Sequence, residues 1–480
     1  MIIAYHNYRL SNEFFIDGAN YYYIENSRLV SSKRNASVFA YSCESHNIAD
    51  VIKKPAILSK LKSEDAVLAN TGPYAFIYHY LREKHGFKFR IIRDVQTGFW
   101  PGYLFQELMC TKYLRDGDKV MFLSEFARQL YIKLFPQLNK ENTTVCAPFM
   151  HFFPEKRHIV KKKTRLRTLG WVGRINPEKG FDIVLDAFIN LYKMDSSIRL
   201  LAAGYAFPHY KKKIYAKLRK NDIPLSSFLH FNGGHFTPYT SIWEVYKRMD
   251  VLLFPSTSLN ESLGRVIIEA GWSGVPVVAA FYGAAPEILP SQNLVDINFR
   301  KGLLQLDSAN PYNWGDVDFD RFIEKIIGFQ QLKPTNISVY KEHHQKFFSV
   351  LSGTDEREKL ANLHPKTKQF ISNVKLYNNQ TSLDDAEVYK KMSEFMLGWF
   401  VRKGNLNSGS AKYSFSIENF YLLKLYNFFL PYSLKYNPYT SLENPGKMQE
   451  IFLKIKKPAK PPVKWLVYYY VRKMLQGFKP

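Results

Sequence analysis

Cysteine is scarce in this chain. Cys43, Cys110 and Cys146 are the three among 480 residues, too few for a disulfide framework and without the paired spacing of a zinc site. A reducing, cytosolic setting is the expectation. Long apolar runs are missing as well: nowhere do eighteen uninterrupted apolar residues occur, and Met1-Ile-Ile-Ala-Tyr-His-Asn-Tyr-Arg9 lacks the charged head, apolar run and cleavage site of a signal peptide. Neither a membrane span nor a secretory leader is expected. Repeats, low-complexity tracts and nucleic-acid-binding motifs are absent too. Acidic residues are few beside basic ones, 42 against 67, and the resulting net charge of +25 draws anionic lipid, acidic glycans or nucleic acid.

What is present describes a folded protein. Hydrophobic residues make up 46% and aromatics 16%, and the length suffices for two core-bearing domains plus an extension. The most informative stretch runs Glu261-Ser-Leu-Gly-Arg-Val-Ile-Ile-Glu269-Ala-Gly-Trp-Ser-Gly-Val-Pro-Val-Val. Val251–Ser256 before it reads as a buried parallel strand, Leu263–Ser273 as a helix stopped by Gly274, and Val275–Ala280 as the next strand. In such βαβ units ligands sit outside the carboxyl ends of the strands. Glu261 falls there, and Glu269 lies further along the helix on the same crevice. The unpaired N–H groups at the helix start would place Ser262, Leu263 and Gly264 to receive phosphate. Carboxylates beside a phosphate site suit sugar hydroxyls, which donate hydrogen bonds. A nucleotide sugar fits this pattern; helix-dipole stabilisation by Glu261 and a solvated Glu269 are the plainer alternative.

A second motif, Thr168-Leu-Gly-Trp-Val-Gly173-Arg174-Ile-Asn-Pro-Glu-Lys179-Gly180-Phe, reads as a strand, a turn opened by Gly173 and a helix. Arg174 and Lys179 would project from the strand end. Arg offers a planar fork and Lys a compact point charge, so the pair could hold a diphosphate and stabilise charge on a departing nucleoside diphosphate. Ordinary turn charges in a basic protein are the alternative.

These two segments, about ninety residues apart, together with Ile198–Gly204, His230-Phe-Asn-Gly-Gly-His235, Ile242–Met249 and Phe281-Tyr-Gly-Ala-Ala-Pro-Glu287, resemble the nucleotide-sugar domain of the family 4 retaining glycosyltransferases over roughly residues 160–350. The resemblance implies an α/β fold of GT-B type: two Rossmann-like doubly wound domains facing a cleft, here 1–158 on the acceptor side and 159–335 on the nucleotide-sugar side. Residues 336–480 would be a crossover helix and a mainly helical extension. It implies that Glu269 binds ribose hydroxyls, Glu261 contacts the donor sugar, and Arg174 with Lys179 hold the diphosphate. Gly18, Gly173 and His235 join the donor side. Transfer would retain anomeric configuration, with no cofactor and no metal ion.

The amino-terminal half fits a doubly wound domain. Ile2–Tyr5, Ser37–Tyr41, Ala66–Gly72, Phe89–Asp94 and Lys119–Ser124 read as strands, Asp17-Gly18-Ala19 as a glycine turn, and Tyr21–Ser32 and Pro73–Lys84 as helices. Where many relatives carry His-Asp, this chain has Arg93-Asp94. Arg93, Asp94 and Trp100, in the aromatic loop Gly98–Tyr103, are the candidate acceptor side.

From 341 to 480 there are 23 Lys and Arg against 11 Asp and Glu. Val388–Arg402 and Ile417–Leu430 read as helices. Val463, Leu466, Val467, Tyr470, Val471, Met474, Leu475 and Phe478 form a stripe of helical spacing behind the basic strap Lys454–Lys464, as in a helix lying on an anionic membrane surface. Docking on the protein's own core is the alternative. The expected partners are a UDP- or GDP-sugar donor, a glycan or lipid-linked acceptor and an anionic membrane, without nucleic acid. Competing readings are a different GT-B enzyme, either metal-dependent or a nucleotide-sugar epimerase, and a non-enzymatic basic binding protein. Asp316-Val-Asp318 resembles a metal-binding Asp-x-Asp, but it directly precedes a helix, where capping accounts for it.

Overall fold

The computed structural model describes residues 1–7, 18–47, 50–51, 54–70, 73–98, 107, 110–154, 164–206, 208–231, 240–258, 261–299, 315–356 and 358–374. Residues Met1–Leu376 form one compact unit and Tyr377–Pro480 a second. The second, with the helices expected over 388–402, 417–430 and 463–478, lies outside the described residues.

Two six-stranded parallel sheets organise the first unit. One contains β1 (Ile2–Asn7), β2 (Ser42–Asn47), β3 (Ala66–Asn70), β4 (Arg90–Val95), β5 (Lys119–Phe122) and β6 (Thr143–Val145) in the order 2-1-3-4-5-6. The other contains β7 (Thr168–Val172), β8 (Arg199–Ala203), β9 (Phe228–Phe231), β10 (Val251–Phe254), β11 (Val277–Ala280) and β12 (Leu294–Val295) in the order 12-11-10-7-8-9. These are two doubly wound α/β domains. Parallel sheets covered by helices on both faces leave no solvated side, and all the residues of β3, β10 and β11 are accordingly buried.

Helical periodicity supplies the covering layers. In Phe181–Met194, Phe181, Val184, Leu185, Phe188 and Leu191 recur at helical spacing, and all are buried against Trp171, Leu200 and Leu253, as the apolar stripe requires. Helix Arg265–Ser273 buries Ile267 and Ile268 on the opposite face with Leu252 and Phe254. The chain then returns: Phe347, Phe348, Val350 and Leu351 of helix His343–Ser352 join the core of the first sheet with Ile3, Leu68 and Ile92. Among the described residues no helix is long and apolar enough to cross a membrane.

Several local expectations are corrected. The second strand is Ser42–Asn47, while the expected Ser37–Tyr41 overlaps the helix Lys33–Val38 and the turn after it. The apolar residues that suggested a strand serve other contacts: Phe39 stacks on Phe348 at 4.2 Å between centroids, and Tyr41 is buried with its hydroxyl on the Val30 carbonyl. The true strand is polar because it lies at the sheet edge. Gly18 and Ala19 begin the helix Gly18–Ser31 instead of forming a turn. The helix of the Glu261 segment starts at Arg265, two residues later than its apolar pattern suggests, because Gly264 adopts φ 72°, ψ 59° as its N-cap. Asp318 caps helix Phe319–Ile327, accepting from the Arg321 N–H at 3.1 Å.

Gly204, after β8, packs against Gly173, after β7, with no room for a side chain. Gly204 has φ 153°, and a Cβ on it would lie 1.8 Å from the Gly173 carbonyl oxygen. Gly204→Ala must therefore displace backbone. The expected loss exceeds about 3 kcal/mol in urea unfolding, from strain and overpacking together; an unchanged midpoint would refute the tight crossing.

Candidate active site

The second sheet reverses its strand order between β7 and β10, and such a switch point opens a crevice at the carboxyl ends. The loops leaving these two strands carry Arg174–Lys179 and Ser256–Glu261. After β7 the Gly173 N–H bonds the Ala203 carbonyl and the Ile175 N–H bonds the Tyr205 carbonyl, holding the turn on the neighbouring strand. Asn176 then caps the one-turn 3-10 helix Pro177–Lys179, its side-chain oxygen accepting from the Lys179 N–H at 3.1 Å. Gly180 ends it at φ 82°, where a Cβ would meet the Pro255 carbonyl oxygen at 3.1 Å. The turn is thus seated on the end of β10.

The consequence is a contact between residues 82 apart: Lys179 Nζ lies 2.8 Å from Glu261 Oε2. Ser256 Oγ donates to the same oxygen at 3.4 Å. Arg174 Nη2 lies 3.2 Å from Glu178 Oε1, which also accepts from Ser258 Oγ at 3.2 Å, while Asn176 Nδ2 donates to Glu178 Oε2 at 3.3 Å. Lys179 and Arg174 keep 20% and 39% side-chain exposure. Two cations, each beside a carboxylate, therefore stand at the crevice with solvent access. Glu178 was missed by the sequence reading, although its position four residues after Arg174 is a signal for pairing.

Glu269 sits apart from these groups in its contacts. It is 2% exposed, accepts a hydrogen bond from the Tyr246 hydroxyl at 2.7 Å and pairs with Arg265 Nε at 2.7 Å. Burial and the adjacent Glu269 raise the Tyr246 hydroxyl well above its ordinary range, so it remains a donor. Tyr246 comes from the preceding helix Thr240–Tyr246, and no spacing links it to Glu269. Ser262, Leu263 and Gly264 precede the helix. Ser262 Oγ donates to the Gln96 carbonyl at 3.1 Å and the Ser262 carbonyl accepts from Ser124 Oγ at 2.5 Å, so its hydroxyl and carbonyl are engaged by the first domain. His235 and Trp100 lie outside the described residues, and Gly18 is the first residue of its helix.

On the first domain Arg93 and Asp94, neighbours on β4, are both 1% exposed. The Arg93 guanidinium makes a bidentate pair with Glu107, at 2.6 and 2.5 Å. Asp94 accepts from Asn26 Nδ2 at 2.6 Å and from Gln96 Nε2. Burial pushes its carboxyl up from the usual 3.8 to about 6, against the lowering effect of these donors.

A raised carboxyl pKa means that the folded chain holds the proton more tightly than the unfolded chain. The neutral form costs nothing below the unfolded value; ionisation of the buried group lowers stability as pH rises from about 4 through about 6. Asp94→Asn is expected to gain on the wild type by on the order of 2–3 kcal/mol between pH 4 and pH 7.5. Urea unfolding at both pH values measures this, and a pH-independent difference would contradict it.

Comparison with known proteins places this geometry. Residues 152–297 match the family model described as glycosyl transferases group 1. The D-inositol 3-phosphate glycosyltransferase of Corynebacterium glutamicum (strain R) is 28% identical over 153 residues, 31% of this chain and 34% of that protein. An uncharacterized 42.6 kDa protein in the cps region of Klebsiella pneumoniae is 25% identical over 175 residues, 36% of this chain and 41% of that protein. The chain thus spans between a third and somewhat over two fifths of the length of these curated relatives. Among solved structures, Anabaena HepE in complex with UDP aligns with TM-score 0.48 and 14% identity, covering 77% of this chain and 98% of that one. A Rickettsia africae glycosyltransferase aligns with TM-score 0.47 and 14% identity, covering 74% and 98%. Over residues 152–297 the chain is similar to the group 1 glycosyl transferases.

Proposed function

We propose that the protein transfers a sugar from a UDP- or GDP-sugar to a glycan or lipid-linked acceptor with retention of anomeric configuration. The observation that carries this reading is the Lys179–Glu261 contact at the switch point, with Arg174 beside it. An incoming diphosphate competes for Lys179 and Arg174, since phosphate oxygens accept charge-assisted hydrogen bonds more strongly than a single carboxylate. Release from Lys179 leaves Glu261 to accept hydrogen bonds from the donor sugar. Glu269, held by Tyr246 and Arg265, is the candidate for the ribose hydroxyls.

In the transfer step the bond from the anomeric carbon to the diphosphate oxygen breaks, and the acceptor oxygen bonds to that carbon on the same face. The acceptor proton passes to the departing phosphate. The work left to the protein is to stabilise charge on the leaving group, which Arg174 and Lys179 do by position and sign. No metal ion is needed on this account. The basic carboxy-terminal region, outside the described residues, would hold the enzyme on the cytoplasmic face of an anionic membrane near a lipid-linked acceptor, in surface polysaccharide or glycoconjugate synthesis. The identities of the relatives support the class of reaction: those of Corynebacterium and Segniliparus are described as glycosyltransferases.

Lys179→Ala and Arg174→Ala are each expected to lower kcat about a hundredfold or more while shifting thermal stability little. Glu269→Gln should weaken binding of the bare nucleoside diphosphate, whereas Glu261→Gln should spare that binding and impair transfer. Calorimetry with nucleotide and steady-state turnover decide these together; equal loss of nucleotide binding in both Glu variants would contradict the assigned roles.

Transfer is further expected to persist in EDTA. Loss on chelation, restored by Mg²⁺ or Mn²⁺, would point to a metal-dependent enzyme instead.

A further inference from the structure

The loop after β11 reaches across the cleft. Glu287, in the short helix Ala285–Ile288, accepts hydrogen bonds from two consecutive backbone N–H groups of the opposite domain, Glu125 at 3.0 Å and Phe126 at 2.7 Å. These open the helix Glu125–Leu134, whose N-cap Ser124 accepts from the Ala127 N–H at 3.2 Å. A helix start leaves four N–H groups unpaired and carries partial positive charge. Here the second domain supplies a carboxylate to two of them. Around it, Phe126 meets Tyr282 edge-on at 5.5 Å, and Phe370 of helix Pro365–Asn373 packs on both, at 6.0 and 5.8 Å.

The same loop bears on the candidate site. A Cβ on Gly283 would lie 3.6 Å from the Glu261 carbonyl oxygen, so the backbone that Glu287 anchors runs beside the backbone carrying the Lys179 partner. Ser124, the cap of the contacted helix, also donates to the Ser262 carbonyl, and Ser262 donates to Gln96 at the end of β4. The Glu287 carboxylate and the Ser124 and Ser262 hydroxyls together join the loops after β10 and β11 to the first domain. Glu125, the acidic neighbour of Glu287, has its own partners in Gln129 Nε2 at 2.7 Å and the Ala361 N–H at 3.1 Å.

We propose that Glu287 is a positioning residue: by capping helix Glu125–Leu134 from the opposite domain it fixes the register between the donor loop at Glu261 and the first domain. The inference rests on the function proposed above. Its signature is a split between nucleotide binding, which needs one domain, and transfer, which needs both in register.

The test uses full-length wild type, Glu287→Ala and Glu287→Gln, with UDP and GDP calorimetry, transfer assays and electron-resonance distances. The spin labels sit at the exposed positions Val38 and Met194 in a Cys43→Ser background. Glu287→Ala is expected to keep nucleoside diphosphate affinity within about twofold, lower transfer kcat by about tenfold or more, and broaden the interdomain distance distribution. Glu287→Gln, which keeps the shape and one acceptor oxygen, should recover most of the rate and the narrow distribution. Unchanged transfer in Glu287→Ala, or parallel loss of nucleotide binding, would overturn the proposal. If the wild type neither binds nor consumes nucleotide sugars, the function reading fails by itself. The distance measurement still judges the clasp, and an unbroadened distribution in Glu287→Ala overturns it.

Discussion

The contact between Lys179 and Glu261 depends on the reversal of strand order in the second sheet. Parallel strands must all discharge their loops at one end, and the reversal between β7 and β10 brings two loops together that are distant in sequence. Glycine makes the approach close: Gly180 seats the Lys179 turn on Pro255, and Gly204 lets the backbone of one strand end pass over Gly173. Opposite charges about 4 Å apart attract by about 4 kcal/mol at the effective dielectric near a protein surface. Desolvation of both groups offsets much of this, so the pair fixes geometry more than it stabilises the fold. A contact of that balance is well suited to exchange partners when a more highly charged anion arrives.

Among the described residues the two domains meet through apolar as well as polar contacts: Leu123, Ala147 and Phe149 of the first share a buried cluster with Leu263 and Phe281 of the second. Ser262 and Glu287 from the second domain meet Gln96, Ser124 and the start of helix Glu125–Leu134 from the first. The return of helix His343–Ser352 to the core of the first sheet adds an apolar anchor, and Phe370 packs against residues of both domains. Charge at the candidate site and register across the cleft are therefore set by different elements and can be perturbed separately.

Much of this arrangement was legible in the sequence because it is written in short-range patterns. Buried parallel strands appear as continuous apolar runs, as at Val251–Phe254, and the loops that follow them carry the polar groups. The Lys179 and Glu261 motifs are each contiguous, and the parallel topology brings them together. What escaped the reading has no local signature. The edge strand Ser42–Asn47 is polar because one side faces no neighbouring strand. Tyr246 reaches Glu269 from the preceding helix, and Glu287 meets Phe126 from 161 residues away. Arg93 reads as an acceptor-side candidate from its place beside Asp94, and its pairing with Glu107, fourteen residues later, has no motif to announce it.

The central claim is that Arg174 and Lys179 form a diphosphate site. Calorimetric titration of UDP and GDP, each against its own monophosphate, tests it most directly. The account predicts that one diphosphate binds at least about tenfold more tightly than the corresponding monophosphate, because the second phosphate engages the paired cations. Equal affinities for diphosphate and monophosphate, or no binding of either diphosphate, would contradict it.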